Sequence, residues 1–292
     1  MLRSMYAGIS GMKGFQTKLD TIGNNIANVN TFGYKKGRTT FQDMMSQTIS
    51  GAQGPTEFLG GKNPSQVGLG SKIGTIDTIH TQGNRQSTNR PLDLAIEGDG
   101  MFMVAEDINE TNILQSTMSF TRAGNFYLDN DGYVVNSNGQ YLIAENLNEE
   151  TGVSEGAGRI QIPTDAQSFS IQSNGTVTYV NDEQKAVNTA QIRLANFSNP
   201  DGLEKVGSNM YRVTDNAGFN LQNEEAGITL DDLAIPGQGG VGQTVDGALE
   251  MSNVDLSEEF TEMITAQRGF QANTRIITTS DEILQELVNL KR

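Results

Sequence analysis

SNVDLSEEFTEMITAQRGFQANTRIITTSDEILQELVNLKR, residues 252–292, decides the fold. Within it Leu256, Met263, Phe270, Ile277 and Leu284 recur every seven residues, with Phe260 and Val288 on the flanking row. That spacing puts the apolar side chains on one strip of a helix, and a seven-residue repeat marks a coiled-coil seam. Asp255 stands where a helix N-cap belongs, with Glu258 three residues on, and Lys291 and Arg292 suit the negative carboxyl end of the helix.

The amino terminus mirrors this strip. Leu2, Met5, Ile9, Met12, Phe15, Leu19, Ile22, Ile26 and Val29 recur every three or four residues, and Met5, Met12, Leu19 and Ile26 are seven apart. Residues 1–38 hold the six cations Arg3, Lys13, Lys18, Lys35, Lys36 and Arg38 against the single anion Asp20, whereas Asp255 to Arg292 carries four cations against seven anions. The charges make each strip a partner for the other. Gly8, Gly11, Gly14 and Gly23 each cost about 1 kcal/mol against alanine in a helix interior. Order in the first helix must therefore come from close neighbours, and the pair reads as a two-ended stem stabilised when many copies pack.

Between the strips the period changes to two, with turn dipeptides at Asp99-Gly100, Asp131-Gly132, Asn138-Gly139, Asn174-Gly175 and Asp201-Gly202. Phe169 and Ile171, then Val177 and Tyr179, alternate with polar residues across Asn174-Gly175 and predict a hairpin with one buried face. Strands are expected from about Leu92 to Val213, with surface loops over 145–158 and 214–242. The expected fold class is α+β: terminal helices forming a coiled-coil-like stem, and a central all-β domain of short antiparallel strands. Its divisions are an N-terminal helix (1–35), an extended linker (36–90), the β-domain (91–247) and a C-terminal helix (248–292).

Composition and motifs leave little room for chemistry. The 292 residues carry a net charge of −15 and no cysteine, which excludes disulfides, thiolate metal sites and cysteine nucleophiles. His80 is the only histidine, so no zinc cluster can form on it. Gly152-Val153-Ser154-Glu155-Gly156 matches a nucleophile pattern but lacks the strand before and the helix after that would expose the hydroxyl. Asp129 to Gly132 is a turn, because Tyr127 and Asn138 fill what would be the first and twelfth positions of a calcium loop. Gly68 to Gly74 fits neither phosphate-binding fingerprint. No catalytic residue, metal or cofactor is expected. The acidic balance disfavours nucleic acid, no apolar run is long enough for membrane insertion, and no cleavable signal peptide is visible.

NNIANVNTFGYK (24–35) and residues 252–273 closely resemble the paired terminal signatures of the bacterial flagellar rod and hook protein family. The resemblance extends through PLDLAIEGDGMF (91–102) and FTRAGNFYLDNDGYVV (120–135), similar to the family's β-domain motif. FQDMMSQT (41–48), LANFSNPDGLEKVGSNMY (194–211), GALEMSNVDLS (247–257) and LVNLKR (287–292) resemble the hook branch most, with the distal rod branch next. At 292 residues, however, the chain is nearer the distal rod in size than longer hook proteins that insert an extra outer β-domain.

The resemblance implies a structural subunit, exported unfolded through the flagellar type III apparatus without a cleaved leader. It implies a hollow helical homopolymer at the cell exterior, with the terminal helices inside and the β-domain outside. On the hook reading this is a curved, flexible joint that meets the distal rod protein, the hook cap protein and the hook–filament junction protein. The alternative is the distal rod, a rigid drive shaft. The subunit interface expected from the strips comprises Leu2, Met5, Ile9, Met12, Leu19, Ile22, Ile26, Leu256, Phe260, Met263, Phe270, Ile277 and Leu284. From a different class, a monomeric carbohydrate-binding or hydrolytic β-protein stays open, although an aromatic share of 7% without tryptophan argues against a sugar platform.

Overall fold

The protein is described by a computed structural model over residues 2–56, 60–106, 118–148, 154–182, 184–219 and 232–290. Lys291, Arg292 and the centres of the two expected loops lie outside the described residues, as do Gly152 and Val153 of the serine motif. The chain divides into two compact units, each assembled from discontinuous segments.

Unit 1 gathers Met1–Ala27, Lys36–Ile79 and Val254–Arg292. It contains helix α1 (Leu2–Ala27), strands β1 (Gly37–Asp43), β2 (Ser46–Ser50), β3 (Ser65–Gly68) and β4 (Ser71–Thr78), and helix α2 (Leu256–Leu290). α2 starts where expected: Asp255 Oδ1 accepts from the Ser257 N–H at 2.8 Å, satisfying an amide that the helix leaves unpaired. Glu258, the residue that a capping box would turn back, instead meets Lys36. β1 pairs antiparallel with β4, and β2 with β3 in a separate ribbon whose residues are almost all exposed. No helix among the described residues is long and apolar enough to cross a membrane.

Unit 2 gathers Asn28–Lys35 and His80–Asn253. Its strands are β5 (Arg85–Ser87), β6 (Leu94–Glu97), β7 (Met101–Ala105), β8 (Met118–Thr121), β9 (Tyr127–Leu128), β10 (Val134–Val135), β11 (Tyr141–Leu147), β12 (Ser154–Arg159), β13 (Ser168–Ile171), β14 (Thr176–Val180), β15 (Ala186–Ile192), β16 (Leu194–Ala195), β17 (Glu204–Gly207), β18 (Met210–Arg212), β19 (Gln243–Asp246) and β20 (Ala248–Glu250). Pairing is antiparallel, along the path β13-β14-β15-β11-β7-β8-β18-β17. The central strand β7 is the unbroken apolar run MFMVA, and both of its faces are buried. Phe102 and Val104 enter one core with Leu94, Phe126, Leu142 and Ile192; Met101, Met103 and Ala105 enter another with Phe120, Ile143, Phe197 and Tyr211. A strand covered on both sides has no reason to alternate. The predicted hairpin is present, with Phe169 opposite Tyr179 and Ile171 opposite Val177.

The expected loop over 145–158 is largely not a loop. Residues 145–147 and 154–158 pair as β11 and β12, and Glu145 is buried where its carboxylate accepts from the Arg193 guanidinium. An acidic residue reads as surface in sequence, but a partner cation just beyond the end of the neighbouring strand β15 lets it go inside.

Candidate assembly surface

The two helices of unit 1 run antiparallel, and glycine sets how closely they pack. A Cβ added to Gly8 would lie 3.3 Å from Ile277, one on Gly11 2.9 Å from the Asn273 amide, and one on Gly269 2.6 Å from the Phe15 ring. Phe15 also meets Phe41 of β1, with ring centroids 5.7 Å apart. The glycines that weaken α1 in isolation are thus the places where α2 and β1 come close, except Gly23, which has nothing within 4 Å.

Ion pairs fix the register. Lys18 binds Glu262 at 2.9 Å and Lys36 binds Glu258 at 2.8 Å. Between them the Asn25 amide donates to Glu259 Oε2 at 3.2 Å and to the Gly37 carbonyl at 2.9 Å, while Asn25 Oδ1 accepts from the Gly37 N–H. Burial of Glu259 pushes its carboxyl upward, against the pull of Asn25 and Lys36. The basic arm read in residues 1–38 is therefore mostly consumed inside the molecule: Lys18, Lys35, Lys36 and Arg38 all have carboxylate partners.

The thirteen residues expected at a subunit interface separate into groups. All lie in α1 or α2. Ile22 is buried; Met5, Met12, Leu19, Ile26, Met263, Phe270, Ile277 and Leu284 are half-buried; Ile9, Leu256 and Phe260 are exposed; the side chain of Leu2 lies outside the described residues. On α2 the half-buried seven-residue row shares its face with buried Ala266 and Ser280, and Ile277 packs at Gly8 of the chain's own α1. A second apolar row, Ile276, Ile283, Leu287 and Leu290, stands open on α2, and Tyr6 joins Ile9 on α1 with 69% of its surface exposed. This row was missed because the stricter heptad beside it drew the reading; its own spacing of seven, four and three residues is an equally helical signal.

Unit 2 contains a buried charge cluster that no sequence motif announced. Lys35 Nζ lies 2.6 Å from Glu250 Oε1, and Arg122 binds the other oxygen at 3.1 Å. The Gly83 N–H also donates to Glu250, and Lys35 donates to the Thr81 carbonyl at 2.8 Å. The His80 ring lies 5.5 Å from that of Tyr211, tilted by 56°. Burial and the cations Lys35, Lys205 and Arg122 push the imidazole down to about 4. Among the described residues no group of three or more metal-ligating side chains converges.

Two long amphipathic helices packed on one another, with an apolar row left open beside them, are the features of a subunit built to pack. Residues 5–35 match the model described as flagella basal body rod protein, residues 95–179 the flagellar hook protein FlgE/F/G D1 domain, and residues 245–290 the flagellar basal body rod FlgEFG protein C-terminal region. The chain belongs to the flagellar basal-body rod and hook protein family, a structural component of the flagellum. It is 56% identical over 292 residues to the flagellar basal-body rod protein FlgG of Bacillus subtilis, with all of both chains covered. It is 36% identical over 294 residues to the rod protein FlgG of Borreliella burgdorferi, and 30% identical over 460 aligned positions to that organism's flagellar hook protein FlgE, again with all of each chain covered.

Proposed function

We propose that this chain is a subunit of the distal rod of the flagellar basal body, polymerising into a straight, stiff helical tube that carries torque. The hook reading suggested by the sequence gives way to its sibling. The observation that supports this is the end-to-end match at 56% to a rod protein of the same length. Borreliella burgdorferi offers a comparison within one organism: its rod protein aligns over 294 positions, whereas its hook protein needs 460 positions against 292 residues here. The motifs that suggested a hook, residues 41–48, 194–211, 247–257 and 287–292, all lie within the length that also matches rod proteins.

On this reading α1 and α2 form a coiled-coil-like stem on the inside of the tube, with the β-unit facing outward. Copies meet through unlike surfaces, which propagates an open filament in place of a closed ring. Ile9, Leu256 and Phe260, joined by Tyr6, Ile276, Ile283, Leu287 and Leu290, are the interface residues still free for a neighbour; the half-buried rows support the stem itself. Export unfolded through the type III apparatus without a cleaved leader belongs to the same reading. Electron microscopy of filaments grown from the purified chain tests it: straight filaments support the rod, and curved, flexible ones would return the assignment to the hook.

A further inference from the structure

On their free faces α1 and α2 carry charges in matching order. Lys13 and Asp20, seven residues apart on α1, are exposed, as are Arg275 and Glu282, seven residues apart on α2. None of the four has an ion-pair partner among the described residues. Beside them lie the open apolar residues Tyr6 and Ile9 on α1, and Ile283, Leu287 and Leu290 on α2. Run antiparallel, the two faces fit in one register: Lys13 level with Glu282, Asp20 level with Arg275, and Tyr6 and Ile9 beside Leu287 and Leu290.

We infer that α1 of one copy docks on the free face of α2 of the next in this register; the inference rests on the polymer reading above. Within one chain Gly11 stands level with Asn273. The intermolecular register is displaced from that by about eleven residues along α2, an axial step of about 16 Å at the rise of an α-helix. Both pairings are antiparallel, so successive copies point the same way. A repeated contact that advances along the axis cannot close on itself, and an open helical filament results. Pairing covers the apolar row over the stretch where α2 runs past the start of α1.

Charge exchange in the full-length chain tests the register, with far-ultraviolet circular dichroism as the folding control. Lys13→Glu with Asp20→Arg, or Arg275→Glu with Glu282→Lys, should each raise the critical concentration for polymerisation about tenfold by placing like charges opposite one another. Combining all four should restore it to near the wild-type value. If either pair of substitutions polymerises as wild type does, or the fourfold variant is folded yet no better than the pairs, the register is wrong while the polymer reading stands. A wild-type chain that never polymerises would overturn both.

Discussion

Lys35 and Glu250 form an ion pair at 2.6 Å with both side chains at 0% exposure, although 215 residues separate them. Lys35 lies in the first segment of unit 2 and Glu250 near the end of the last, so the pair ties the two extremes of that unit's chain together. Arg122 at 3.1 Å and the Gly83 N–H complete the carboxylate's partners. Removing the carboxylate would leave two buried cations without their counter-charge. Glu250→Ala should therefore cost about 3–5 kcal/mol, read as a fall in the denaturation midpoint of the full chain. A loss within experimental error would show that the pair contributes little.

Acid should act through His80. Its imidazole titrates at about 4 in the fold, below the ordinary 6.5, because burial and the cations Lys35, Lys205 and Arg122 disfavour its charged form. With the folded value depressed, the unfolded chain binds the extra proton first as pH falls. The contribution to stability is therefore full above about 6.5 and is lost progressively down to about 4. His80→Gln should flatten the stability profile in that window, as measured by urea denaturation across pH. An unchanged slope would contradict the assignment.

Glu259 has the opposite sign. Burial raises its carboxyl, so the ionised form is the one the fold disfavours. The relative stabilisation is present at low pH and lost as pH rises through the folded value. Glu259→Gln keeps a polar group opposite Asn25 and removes the charge; unit 1 should melt higher at neutral pH, with the gain vanishing in acid. A lower melting temperature at pH 7 would show that the carboxylate is needed for its charge.

Glycine substitutions should divide by surroundings. A Cβ on Gly124 would lie 1.7 Å from the Leu94 carbonyl oxygen, and backbone cannot step aside as a side chain can. Gly124→Ala should destabilise by about 3 kcal/mol. Gly23 meets nothing within 4 Å, so Gly23→Ala should stabilise the monomer by about 1 kcal/mol. Thermal melts of the two variants side by side check both signs.

What could be read from sequence followed how local the cause was. Both helices, the Asp255 cap and the hairpin across Asn174-Gly175 depend on residues within one or two turns of each other, and each was legible. β1 to β4 were not: they are rich in Ser, Thr and Gln with few apolar residues, and β2 and β3 are almost wholly exposed, so they carry little apolar alternation. β12 hid in an acidic stretch because the Arg193 that neutralises Glu145 of its partner β11 lies 48 residues beyond that glutamate. For the assembly surface, the heptad of α2 was visible, but periodicity does not say who covers it. Ile277 beside Gly8 is satisfied by the same molecule, and the less regular row from Ile276 to Leu290 is the one left open.

Amide hydrogen exchange on the full-length chain, compared between dilute monomer and polymer, tests the central claim most directly. The account predicts that polymerisation protects the amino-terminal half of α1 and the last turns of α2, where Leu290 is 82% exposed, while the interior strand β7 exchanges equally slowly in both states. Filaments in which those helix segments exchange as fast as in the monomer would place the subunit contacts elsewhere and contradict it.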